Sequence, residues 1–69
     1  MPNRVYKLVE IVGTSPTSTD DAIRNAIAKA SKTLDHLDWF QVVETRGQIV
    51  DGAVAHFQVV LKVGFRLDD

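Results

Sequence analysis

At 69 residues the chain is a single domain at most, and one of that length hides only roughly 60% of the surface its unfolded form exposes. It contains no cysteine, which excludes disulfides, thiolate metal sites and thiol chemistry together. Eight basic and nine acidic side chains leave a net charge of -1, so there is no electrostatic footprint for nucleic acid or an anionic membrane. Oligomerisation is then the remaining way to enlarge a thin core. Residues 1–4 lead into no apolar leader, and no window approaches the ~20 apolar residues of a membrane span. The expected location is the cytoplasm.

Residues 4–12 are rich in valine and isoleucine and carry the only tyrosine, which predicts a first strand. Gly13 is expected to end it, with residues 13–18 as a loop of turn formers. A Gly-Thr-Ser loop between strand and helix could cradle phosphate, but the second glycine and following lysine of a P-loop are missing. A strand-to-helix connection with a cap is the simpler reading. Ser18 with Asp21 fits a capping box, and Asp20 and Asp21 suit the positive first turn.

A helix is predicted from Asp20 to about Asp35. Ala22, Ile23, Ala26, Ile27, Ala30 and Leu34 recur at three and four residue steps and form one apolar stripe. Its small side chains let a sheet lie close against it.

A second strand over 39–50 and a third over 53–67 are joined by Asp51-Gly52, a strong signal for a type I′ hairpin. In the third strand, Ala53, Ala55, Phe57, Val59, Leu61, Val63, Phe65 and Leu67 are expected to face the core. Val54, His56, Gln58, Val60, Lys62 and Arg66 face away. Carried into the second strand, the register of a two-residue turn puts Phe40 and Val42 in the core, but also Glu44 and Arg46, which is unacceptable without partners. A bulge near Arg46-Gly47 is therefore expected. The outer face then carries Trp39, Val43, Val54, Gln58 and Val60, too apolar for solvent, and is expected to be an interface.

No nucleophile constellation or zinc-ligand spacing is visible, and His36 and His56 are expected to be surface or hydrogen-bonded residues. Trp39, Gln58, Arg46 and Arg66 form a different set: a flat apolar ring, an amide and two guanidinium groups suit a planar, anionic heteroaromatic ligand. Spacing alone fits a core tryptophan equally well. Arg4, Lys7, Lys29 and Lys32 allow either a second anion site or ordinary solvated faces.

Taken in order, Val12-Gly13-Thr14-Ser15, Leu37-Asp38-Trp39-Phe40, Arg46-Gly47, Asp51-Gly52, Phe57-Gln58-Val59 and Val63-Gly64-Phe65-Arg66-Leu67 resemble the dodecins, small flavin-binding proteins. The resemblance covers nearly the whole chain. It implies an α+β, β-α-β-β subunit whose three-stranded antiparallel sheet wraps one helix, with twelve copies forming a hollow homododecamer. It implies paired flavins on twofold axes, Trp39 stacking on the isoalloxazine and Gln58 bonding its pyrimidine-like edge. Arg46 resembles the bacterial-type members that favour FMN over riboflavin, and Arg66 is implied as a phosphate or ring-edge contact. Some members also bind coenzyme A, for which Arg4, Tyr6, Lys7, Lys29 and Lys32 match by residue type. The implied role is flavin storage and photoprotection without catalysis, with an oligomeric scaffold or a small flavin enzyme as the competing readings.

Overall fold

A computed structural model describes residues 3–67. Its elements are β1 (Tyr6–Ser15), α1 (Thr19–Ala30), β2 (Leu37–Val50) and β3 (Ala53–Arg66), in that order. The three strands make one antiparallel sheet in the order β1-β3-β2, so β3 is central and the expected β-α-β-β architecture is present.

β1 runs three residues past its expected end, because Gly13 is a packing position and not a stop. A Cβ there would lie 2.1 Å from the Ala22 carbonyl oxygen and 2.8 Å from Ala26 Cβ. Only glycine lets the helix approach the strand this closely. The loop shrinks to residues 16–18, organised by buried Ser15. Its hydroxyl donates to Asp21 Oδ2 at 2.7 Å and accepts the Thr17 N–H at 3.0 Å. Ser18 caps α1, its Oγ accepting the Asp21 N–H at 3.0 Å. Half of the expected capping box is thus present, and Asp21 turns to Ser15 instead of completing it.

α1 stops at Ala30, five residues before the expected end. The Ser31 hydroxyl bonds back to the Ala28 carbonyl at 2.8 Å, and the Leu34 N–H still reaches the Ala30 carbonyl at 2.9 Å. Such side-chain bonds to the backbone compete with a continuing helix. Ala22, Ala26 and Ala30 are buried, and the first two pack with Val59, Leu61 and Val63 of β3 to form the core. Val9, Ile11, Ile23, Ile27 and Leu37 border it. The helix lies on β1 and β3, leaving β2 without a single buried residue. Ala53 and Ala55, expected in the core, are exposed because the hairpin extends past the end of the helix.

The hairpin turn is type I′ as expected, with φ of 52° at Asp51 and 78° at Gly52. The register breaks elsewhere than at Arg46-Gly47. One shift falls between Gln48 and Ile49, where Ala55 of β3 is skipped, and a second falls between Val42 and Glu44, where Val43 of β2 is skipped. A third falls between Leu37 and Trp39, where Asp38 of β2 is skipped. The first moves Glu44 and Arg46 off the core face, and the second returns Val42 and Phe40 to it, opposite Leu61 and Val63. Val43, like Asp38, is consequently a β2 residue without a partner on β3.

Candidate functional site

Because Val59, Leu61 and Val63 point into the core, Gln58, Val60, Lys62, Gly64 and Arg66 face away from the helix. Their partners on β2 share that outer face: Arg46 lies opposite Gln58, Glu44 opposite Val60, Gln41 opposite Lys62 and Trp39 opposite Gly64. Across β3, Tyr6 pairs with Arg66, Leu8 with Gly64 and Glu10 with Lys62.

Trp39 is on this outer face and 42% exposed, which resolves the choice between core and surface. Its six-membered ring covers Gly64, where an added Cβ would lie 2.4–2.5 Å from Cζ2, Cε2 and Cη2. Tyr6 meets the indole edge-on, with ring centroids 5.0 Å apart and planes at 67°. One indole face is thus seated on the strand, and a large part of the side chain stays available for stacking.

At the other end of the sheet, Arg46 Nε donates to Gln58 Oε1 at 2.9 Å, and its Nη1 lies 3.5 Å from Glu44 Oε1. The pairing of Arg46 with Gln58 is a direct product of the register shift, since without it the arginine would face the helix side. Gly64 and Gln58 are six residues apart, which places the indole and the Arg46–Gln58 pair about 20 Å apart along the strand. A three-ring heteroaromatic does not bridge that distance within one chain. Arg66 belongs to the tryptophan end: its Nη2 donates to His36 Nδ1 at 3.0 Å, and its backbone N–H donates to the His36 carbonyl at 3.0 Å. His36 holds the left-handed conformation there, with φ of 62°.

The cations considered for coenzyme A are dispersed. Lys7 pairs with Phe65 on the helix side of the sheet, whereas Tyr6 faces outward beside Trp39. Arg4 precedes β1, Lys29 is in the last turn of α1 and Lys32 follows it. Lys29 borders an apolar groove of about 370 Å³ with Ile11, Val12, Ala26, Ala30, Thr33 and Leu34. Among the described residues no three His, Asp or Glu side chains converge as a metal centre requires.

The contributions of Tyr6, Glu44 and Gly64 to this face are not evident from the sequence. Tyr6 is on a different strand from Trp39, and only the sheet order brings the two together.

The fold and this face define a class: a small α+β module of β-α-β-β order with an exposed aromatic on the sheet surface opposite its helix. The dodecin family profile matches residues 5–68. A dodecin from Thermus thermophilus is 56% identical over 66 residues, covering 96% of both chains. The solved dodecin from Streptomyces davaonensis superposes with a TM-score of 0.95 at 60% identity, covering 99% of this chain and all of that one. A calcium dodecin from Mycobacterium tuberculosis is 30% identical over 63 residues, covering 91% of this chain and 89% of its own length. The chain belongs to the dodecin family.

Proposed function

We propose that this protein binds and sequesters flavin, FMN in preference to riboflavin, without turning it over, in a closed assembly of twelve copies. The observation that carries the reading is Trp39: a half-exposed indole seated on Gly64, on the sheet face opposite the helix. A buried tryptophan would fill the core, and a disposable surface one would have no glycine beneath it.

The residues present fit a flavin. The indole offers a flat stacking surface, Gln58 carries donors and an acceptor for a pyrimidine-like edge, and Arg46 and Arg66 supply guanidinium groups suited to a phosphate. When bound, a flavin supplies a light-absorbing ring whose excited state an adjacent indole deactivates by giving an electron and taking it back. The 20 Å scale between Trp39 and Gln58 favours a site completed by a second copy. A twofold-related sheet running in the opposite direction brings the Arg46–Gln58 end of one chain toward the Trp39 end of the other. Coenzyme A remains a second candidate ligand, supported only by Lys29 at the rim of its groove and by the neighbouring cations.

Riboflavin binding by Trp39→Ala tests this reading. Loss of stacking is expected to cost about 1–3 kcal/mol, the range found for aromatic–base stacking. Trp39→Phe should fall between the variant and the wild type. Unchanged affinity in Trp39→Ala contradicts the assignment, and calcium binding in place of flavin would move the function to the chemistry named for the mycobacterial relative.

A further inference from the structure

We propose that Tyr6 and Gly64 form a seat that fixes the plane of the Trp39 indole before any ligand arrives, making Tyr6 a positioning residue for stacking. The proposal rests on the flavin reading above, but its geometry stands in the ligand-free chain. Gly64 occupies the interior of the central strand, where glycine is intrinsically unfavourable by roughly 0.5–1 kcal/mol relative to alanine. What requires it is the indole. All three atoms nearest to an added Cβ belong to Trp39, at 2.4–2.5 Å, and none belongs to backbone.

Gly52, by contrast, has nothing within 4 Å of its virtual Cβ and serves the turn alone. Gly64 therefore acts as the floor of an aromatic site. Tyr6 acts as the wall. Its ring stands at 67° to the indole with centroids 5.0 Å apart, the edge-to-face arrangement favoured by the charge distribution of aromatic rings. The wall comes from β1 and the floor from β3, so rotation of a β2 side chain is restricted by both other strands of the sheet.

A ring restricted in this way loses little freedom on stacking, and affinity rises because that ordering is already done. Tyr6 thereby belongs with the stacking residue, on the opposite sheet face from Lys7. The contact is made ring to ring, through a surface that phenylalanine shares. Phenylalanine should consequently replace tyrosine, whereas an aliphatic residue should not.

The experiment uses full-length wild type, Tyr6→Phe, Tyr6→Leu and Gly64→Ala, each taken from the chromatographic fraction that elutes with the wild type. Trp39 is the sole tryptophan, so its time-resolved anisotropy in ligand-free protein reports this one ring. Riboflavin is the binding probe because it carries the ring without a phosphate. The expected result is a rigid indole in wild type and Tyr6→Phe, a mobile one in Tyr6→Leu, and a displaced one with shifted emission in Gly64→Ala. Riboflavin affinity should fall by about tenfold in the last two variants and hold to within about twofold in Tyr6→Phe, on the scale of an edge-to-face pair. An indole equally rigid and unshifted in all four proteins overturns the seat. Loosening without loss of riboflavin affinity overturns the positioning role. Wild-type protein that leaves both riboflavin and FMN emission unquenched, with the indole still rigid, overturns the flavin reading while leaving the seat in place.

Discussion

Arg46 is held where it is by an amide rather than by a carboxylate. Its ion pair with Glu44 is long and more than half exposed, a setting in which such pairs contribute only ~0–1 kcal/mol. The 2.9 Å bond from Nε to Gln58 fixes the direction of the guanidinium and leaves further N–H donors for an anion. Arg46→Gln removes the charge while keeping an amide, and is expected to weaken FMN binding several-fold more than riboflavin binding, because only FMN presents a phosphate. Equal losses for the two flavins would contradict a phosphate role. Trp39, Arg46, Gln58 and Arg66 could be picked out as a set from residue type and the resemblance to a flavin-binding family. That Arg46 shares the outer face with Gln58 could not, because it depends on which residues the bulges skip.

At the scale of elements, the tight contact between β1 and α1 is the most exacting feature of the fold. Gly13→Ala drives a methyl group into the Ala22 carbonyl, a backbone atom that cannot turn aside. A loss of about 1–3 kcal/mol or more is expected in urea unfolding, in the range of overpacked cores. A change under about 0.5 kcal/mol would show that the helix can retreat at little cost. Ser15→Ala leaves the Thr17 N–H and the Asp21 carboxylate without their buried partner and should cost about 1–3 kcal/mol by the same measurement.

The stripe of α1 and the Asp51-Gly52 turn were readable because each rests on local chemistry: a 3.6-residue period and a demand for positive φ. Gly13 lies inside β1 rather than at its end, and a sequence cannot distinguish a glycine that turns from one that admits a neighbour. The need for a bulge was also readable, from charged residues forecast to face the core. Its position was not. Ala55 and Val43 carry no bulge signature, and the paired solution follows from Phe40 and Val42 having to return to the helix side.

At the scale of the molecule, the chain is drawn out to 54 × 20 × 14 Å, with a radius of gyration of 14.4 Å. A compact domain of this length would have a radius of about 11 Å. The excess comes from a hairpin whose apolar residues find no cover in their own chain: Ile49 is 73% exposed and Val54 59%, and Phe40 and Val42 lie open on the helix side. Surfaces of this kind are stable when further copies bury them, as in the proposed assembly. The thermal midpoint should consequently rise with protein concentration, as mass action requires when folding and association are linked. A midpoint constant over a hundredfold dilution, together with a monomeric mass, would contradict that expectation.

The central claim, a flavin-sequestering assembly built on Trp39, is tested most directly by titrating purified protein into FMN and into riboflavin while recording flavin emission, with light scattering on the same sample. The account predicts strong quenching that saturates near one flavin per chain, tighter for FMN, in a particle of twelve chains. Emission unchanged at saturating protein, in a particle of any size, would contradict it.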